Sequence, residues 1–406
     1  MPDFAQFGSI TTLHEFGTAD SRELESILTS ASETCKIGLI LPSTAADMRA
    51  EPFSRIVDRL RDADFVDSIV VALGVAPNEA DYRQTKEIVR ALGNRAEVLW
   101  TDGPEVTRLY NTLIEAGFHL TVPGKGRSVW TAIGYLLADA RLQTIVLHDC
   151  DIVDYERDLL VRLCMPMVHP SLDFDFCKAY YARCTDRMHG RVVRLLVAPF
   201  LRALISLVGN DDFLVYMSSF RYPLAGEFAV SRSLARSNRI PSDWGLEVGT
   251  LAEVFRNTSL KRVCQVDLGR LYEHKHQELS LDDPGKGLMK MATDILTNIF
   301  RTLASRGAVL HADHFVTLRS AYLRSAQDAI RQYHADALIN GLTYDRHAEE
   351  HAIEGFAERI TAASDTFRSD LSGGEAIPNW TRVLAAFPDF PNRLREAART
   401  DAERLG

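Results

Sequence analysis

Six cysteines are spread over 406 residues, and no two of them form a Cys-x-x-Cys pair or a zinc-like grouping. Cys35, Cys150, Cys164, Cys177, Cys184 and Cys264 therefore read as free thiols of a reducing compartment, not as a disulfide framework. A bilayer-length apolar run is also missing. The longest apolar stretch, 192–208, contains Arg194, Arg202 and Pro199. Each arginine would cost roughly 2.5–3.5 kcal/mol at a bilayer centre, so the stretch reads as a buried helix and no membrane partner is expected. No basic n-region and apolar h-region open the chain, which predicts no signal peptide and a cytoplasmic protein. Basic charge is in deficit: 46 Lys+Arg against 55 Asp+Glu leave a net charge of -9. That balance argues against nucleic acid as a partner, and an anionic substrate must be met by a local basic cluster. Internal repeats, low-complexity tracts and any Ser/His/Asp or Cys/His nucleophile set are absent as well.

What is present is an ordinary globular composition, 46% hydrophobic and 25% charged, in a chain long enough for two or three structural units. Residues 1–35 form a mixed leader, with Asp20 and Glu23 capping a helix over 21–29. Strands at 36–41, 68–73 and 96–100 then alternate with helices at 53–63, 81–92 and up to 116. Pro42 and Ser43 are expected to end the first strand. A Pro-Gly-Lys-Gly turn at 123–126 precedes a helix over 128–138 and a strand at 144–147. This alternation predicts a mostly parallel, doubly wound α/β sheet. Residues 172–280 are less regular. From Gly287 the pattern is helical, with Leu288, Met291, Ile295, Ile299 and Leu303 on one face, and Phe315, Leu318, Tyr322, Ala326 and Ile330 on another. The helical extension, 281–406, is expected to serve packing or self-association.

The strand at 144–147 runs into His148-Asp149-Cys150-Asp151. In an extended chain Asp149 and Asp151 share one side and Cys150 faces the other. Two like charges about 7 Å apart at a strand's C-terminal edge suit a divalent cation holding a diphosphate, and ligands of open α/β sheets bind at that edge. Capping of the following helix would explain the same aspartates. Gly124-Lys125-Gly126 permits close backbone approach to an anion at a helix start, although an ordinary turn is the simpler reading of the motif alone and the spacing is not that of a Walker A loop. Arg183, Arg187, His189, Arg191 and Arg194 cluster ahead of the long apolar helix, where Gly190 and Arg191 would suit a carboxylate or phosphate; a solvated charge run is the alternative. Glu227 and Glu247 each follow a glycine-containing turn. His274 and His276 follow the strand-like segment 263–268, and a neutral imidazole there would complete an oxygen-rich metal site. His347 to His351 also fits an inverted zinc-peptidase pattern, but in a polar helix near the chain's end.

In order, Pro-Gly-Lys-Gly (123–126), Asp-Cys-Asp (149–151), Gly-Arg-Val (190–192), Pro-Leu-Ala-Gly-Glu-Phe (223–228), Gly-Leu-Glu-Val-Gly (245–249) and Val-Asp-Leu-Gly…Glu-His (266–274) resemble the retaining glucosyl-3-phosphoglycerate synthases. Ser-Asp-Trp-Gly (242–245) is similar to a motif of the related mannosylglycerate synthases. The resemblance covers about 36–280 and implies a GT-A glycosyltransferase with a Rossmann-like, mostly parallel sheet. Within it, 36–154 would form the nucleotide-sugar half and 155–280 the acceptor half. It implies a homodimer that uses a nucleotide-diphosphate sugar, Mg2+ or Mn2+, and an anionic three-carbon acceptor. Asp151 and His274 would bind the metal. Lys125 and Asp149 would hold the donor with Pro42, Cys150, Leu224 and Gly226 beside them. Gly190, Arg191, Val193 and His276 would meet the acceptor. Glu227 would receive sugar hydroxyls, and Glu247 would lie beside the reacting carbon.

Two departures bear on substrate choice. Val193 replaces a family threonine, and Leu41-Pro42-Ser43-Thr44-Ala45 lacks the family's Asn-Glu. The first leaves open transfer to unphosphorylated D-glycerate, giving mannosylglycerate or glucosylglycerate. A non-catalytic nucleotide-sugar scaffold is the alternative of another class.

Overall fold

The computed structural model describes residues 5–120, 123–241, 245–269, 283, 285–371, 373 and 376–405. Its strands are β1 (Thr11–Leu13), β2 (Lys36–Thr44), β3 (Ser68–Gly74), β4 (Ala96–Trp100), β5 (Leu142–Leu147), β6 (Phe176–Tyr180), β7 (Phe228–Ser231) and β8 (Val263–Asp267). They form one sheet in the order β1-β8-β6-β7-β5-β2-β3-β4. Only β7 runs antiparallel to its neighbours, β5 and β6. The central strands are apolar on both sides: Leu39, Val71 and Val146 face one core, and Ile40, Val70 and Ile145 the other. Such strands need helices on both faces.

The first face is covered by α1 (Ser21–Ser32), α2 (Ala45–Met48), α3 (Glu51–Leu60) and α4 (Glu79–Val89). On the second lie α5 (Pro104–Glu115) and α6 (Lys125–Leu137), after which α7 (Arg157–Val168) returns to the first. The second face then continues through α8 (Ala198–Val208), α9 (Asp212–Ser219), α10 (Arg232–Ser237) and α11 (Leu246–Asn257). The remaining helices add to it: α12 (Gly287–Ser305), α13 (Ala312–Asn340), α14 (Arg346–Ser369), α15 (Trp380–Ala386) and α16 (Phe390–Leu405). Among the described residues no helix is long and apolar enough to cross a membrane.

Several boundaries differ from the sequence reading for identifiable reasons. Strand β2 passes through Pro42 instead of ending there. The His148 N–H donates to the Ile40 carbonyl, so Ile40 and Pro42 face the β5 side. Pairing with β5 stops at Ile40, and the proline is spared an N–H it would otherwise owe the ladder. Helix α6 begins at Lys125, three residues early, because Gly124 (φ 154°, ψ 179°) turns the chain directly into it. The leader is not separate: β1 pairs with β8 at the sheet edge. The apolar stretch after Arg191 opens as a π-helical segment, Val192–Val197, before α8. Tyr322 of α13 donates its hydroxyl to the Leu195 carbonyl there, at 2.8 Å, satisfying an acceptor in the irregular turn.

The C-terminal helices share the second core instead of forming their own. Phe200 meets Phe300 edge-on at 5.7 Å. Trp380 stacks on Trp130 at 4.3 Å between centroids. Their indole N–H groups donate to the carbonyls of Trp130 and Pro378, respectively, at 3.0 and 2.7 Å. A side chain at Gly134 would overlap the Trp380 ring, so the glycine is what lets this contact form.

Asp401 of α16 is buried against Gly103, where α5 starts. Burial pushes its carboxyl up to about 6, against the pull of Arg404. An acid whose folded-state value is raised binds its proton more tightly folded than unfolded, so its contribution is lost as pH rises from about 4 to about 6. Asp401→Asn should therefore raise the melting temperature at pH 7 and leave it unchanged at pH 4. Thermal melts at both values check this.

Candidate active site

The sheet's order reverses between β2 and β5, since β3 and β4 extend one way from β2 and β5 lies on its other side. The candidate residues gather at the C-terminal ends of these strands, at the switch point where α/β sheets bind ligands. Past β5, Cys150 turns into the first core beside Val146. Asp149 meets the ammonium of Lys125 at 2.7 Å. The loop is held from behind: His148 Nδ1 lies 3.0 Å from the Asp149 carbonyl, and its Nε2 lies 3.2 Å from the Tyr155 hydroxyl.

Lys125, at the start of α6, also reaches Glu247 in the first turn of α11, at 3.5 Å. The two carboxylates, with Glu227, raise the lysine's pKa against the opposing effect of burial. Gly226 lies so close to Asp149 that a Cβ there would overlap the carboxylate. Glu227 is 1% exposed. Its Oε2 accepts from the Tyr181 hydroxyl at 2.8 Å, while its Oε1 is buried without a hydrogen-bond partner among the described residues. Burial, with the neighbouring Asp149 and Glu227, pushes the Asp151 carboxyl up to about 7. Asp149, Glu227 and Glu247 thus act on both Lys125 and the buried Lys178, and Lys125 acts on Asp151.

Lys178 escaped the sequence reading. It sits on β6, 1% exposed, donating to the Ala225 carbonyl just ahead of Gly226. Burial pulls it down to about 8, against Glu247 and Glu227. The signal was available: a lysine inside the apolar strand Phe-Cys-Lys-Ala-Tyr needs a partner wherever the strand is central. Tyr181 and Tyr222 were missed too; their rings lie 5.0 Å apart beside Glu227.

Of the residues that the resemblance assigns to the acceptor, Gly190 adopts φ 73° and lies against the Tyr222 ring, 3.5 Å from where its Cβ would be. Tyr222 accepts from Arg183 at 3.3 Å. Arg187 pairs with Asp186 on the surface. Val193 turns its side chain into the second core, so only its backbone can face a ligand, as is true of Cys150. Leu224 is buried in the same core as Val193, and Pro42 lies at the end of β2. His274 and His276 lie outside the described residues, as do Ser242, Asp243 and Trp244. His347 and His351 fall at the start of α14, where His351 contacts Glu354 at 3.4 Å.

The acids bear on metal binding. Among the described residues no group of three or more His, Cys, Asp or Glu is placed to hold an ion. Yet Asp151 is an acid destabilised in its charged form by two neighbouring carboxylates, and a divalent cation would reverse that. The residues fit a cation that shares Asp151 with ligands from elsewhere.

A switch-point cluster of this kind on a mostly parallel sheet, with helices added to one face, fits the GT-A fold that the sequence resemblance implies. The chain is 46% identical over 401 residues to the glucosyl-3-phosphoglycerate synthase of Persephonella marina, covering 99% of each protein. It is 40% identical over 399 residues to that of Methanococcoides burtonii, covering 97% of each. The chain belongs to the glucosyl-3-phosphoglycerate synthase family. Among solved structures, the fold is similar to that of glucosyl-3-phosphoglycerate synthase from Mycobacterium tuberculosis in complex with Mn2+, UDP-glucose and phosphoglyceric acid. That match has a TM-score of 0.52 and 23% identity, and covers 75% of this chain and 89% of the other. No protein-family model matches the chain.

Proposed function

We propose that this protein transfers glucose from UDP-glucose to the 2-hydroxyl of 3-phospho-D-glycerate with retention of the α configuration. The near-complete coverage of relatives named for this product supports the reaction, and the ligands of the Mycobacterium tuberculosis structure support the donor and the ion. The single structural observation behind it is the buried, half-satisfied Glu227 beside a lysine shared by two further carboxylates.

In this reading Lys125 moves its charge from Asp149 and Glu247 to the donor's diphosphate, where negative charge grows as the leaving group departs. Asp149, Pro42, Leu224, Gly226 and the backbone at Cys150 line the donor. The Oε1 of Glu227, unpartnered among the described residues, accepts from a sugar hydroxyl, and Glu247 lies beside the anomeric carbon. Asp151, with His274, would hold Mg2+ or Mn2+, which when bound supplies Lewis-acid stabilisation of the diphosphate. In a front-face displacement the acceptor hydroxyl passes its proton to the departing phosphate, so no separate base is needed. Gly190, Arg191, the Val193 backbone and His276 receive the acceptor's anionic end. Residues 36–280 carry these sites, 36–154 for the donor and 155–280 for the acceptor, and 281–406 brace them. We further place the protein in the cytoplasm, in line with its six free thiols, as a homodimer. Exposed Val316, Leu338 and Ile339 on α13 are the surface we assign to self-association.

Product formation from UDP-glucose and Mn2+ tests the proposal, with 3-phospho-D-glycerate and D-glycerate offered at equal concentration. Turnover should favour the phosphorylated acceptor at least tenfold. Equal turnover with a neutral triol such as glycerol would contradict it.

A further inference from the structure

Two arginines that follow Gly190 end on one carboxylate from the helical extension. Glu349, in the first turn of α14, is 4% exposed. Its Oε1 accepts from Arg191 Nε at 2.8 Å and its Oε2 from Arg194 Nη1 at 2.9 Å. The two arginines are held differently. Arg194 is fully committed: Nε donates to the His189 carbonyl at 2.8 Å, Nη2 to the Met188 carbonyl at 3.3 Å, and the guanidinium lies 4.9 Å from the Tyr333 ring centre. It braces the turn leading into Gly190. Arg191 is gripped only by Nε, along its inner edge; its side chain is 37% exposed, and Nη1 and Nη2 donate to no described residue.

The extension is tied down beside this pair. The Thr343 N–H, between α13 and α14, donates to the Asp186 carbonyl at 2.8 Å. Two guanidinium charges against one carboxylate leave a single positive charge, carried by the outward edge of Arg191. A guanidinium fixed through one edge presents two parallel donors on the other, the geometry that fits a carboxylate or phosphate.

We infer that Glu349 is a positioning residue for the acceptor: it fixes Arg191 so that Nη1 and Nη2 face the anionic group of a phosphorylated three-carbon acid. The inference rests on the reading of Gly190 and Arg191 as acceptor residues. It makes the helical extension part of acceptor recognition, beyond the packing that its sequence suggests.

Steady-state kinetics on the full-length protein test it, with melting temperatures as the folding control. Glu349→Gln keeps the side chain's volume but loses its charge; Glu349→Asp keeps the charge one methylene shorter. Glu349→Gln should raise the KM for 3-phosphoglycerate about tenfold, leaving kcat and the KM for UDP-glucose within about twofold. Glu349→Asp should restore part of the loss. In Arg191→Ala the acceptor KM should already be high, and adding Glu349→Gln should change it by less than about twofold. An unchanged or lowered acceptor KM in Glu349→Gln would overturn the inference, as would a fall in kcat that tracks a lowered melting temperature, or additive effects in the double variant. If Arg191→Ala itself leaves the acceptor KM unchanged, the acceptor assignment fails first, which separates the two failures.

Discussion

Asp151→Asn should lower kcat about a thousandfold, roughly 4 kcal/mol of barrier, while making the metal-free protein more heat-stable. The two effects have one origin. Asp151 stands near Asp149 and Glu227 in a largely buried position, and its carboxyl is pushed up to about 7. Without a cation its negative charge is a liability to the fold, so an uncharged replacement of the same shape relieves repulsion. With donor and cation bound as proposed the same charge would be needed, since a cation deprived of the Asp151 carboxylate would be held less well at the departing diphosphate. Sites of this kind trade stability for function. Initial rates with Mn2+ and thermal melts in chelator measure both halves. A variant that retains activity within tenfold, or that melts lower without metal, would contradict this account of Asp151.

Lys125→Ala should be inactive and unstable together. Its ammonium neutralises Asp149 at 2.7 Å and approaches Glu247 at 3.5 Å. Removing a preorganised positive group from the leaving-group side costs about 10²–10³ in kcat by analogy with the loss of one oxyanion donor. It also takes from Asp149, Asp151, Glu227 and Glu247 a cation that acts on all four. In the variant Asp151, already pushed up to about 7, would lose the opposing pull of Lys125 and hold its proton still more tightly in the folded state. Its contribution to stability is then present at low pH and lost as pH rises through its folded-state value. The melting-temperature gap to the natural protein should be wide at pH 8 and narrow at pH 5. A gap independent of pH would mean that the lysine is not the counter-charge of the cluster.

What the sequence showed most clearly was built from local pattern. The strand at 96–100 and the helix beginning at Gly287 appear where periodicity puts them, because nothing tertiary competes there. Boundaries moved where a neighbour decided them. Pro42 stays in β2 because β5 has already stopped pairing, and the 192–208 helix opens as a π turn whose Leu195 carbonyl receives a hydroxyl from α13. The antiparallel β7 and the edge strand β1 are too short, at four and three residues, to show a period.

The candidate site divides the same way. Lys125, Asp149, Asp151, Glu227 and Glu247 were legible because chemistry demands charge beside glycine at strand ends and helix starts. Glu349 was not. It lies inside the His347–His351 pattern that suggested a zinc site, one residue from the glutamate of that motif, and its partners are more than a hundred positions earlier in the chain. Only the fold reveals that α14 points it at Arg191 and Arg194.

The proposed reaction depends on a cation bound through Asp151 at the end of β5 and shared with His274. Anomalous diffraction at the manganese edge, from crystals grown with Mn2+ and UDP, tests it most directly. The account expects one manganese coordinated by the Asp151 carboxylate and the His274 imidazole, touching the diphosphate. A nucleotide bound with no manganese at Asp151, or a manganese held elsewhere, would contradict it.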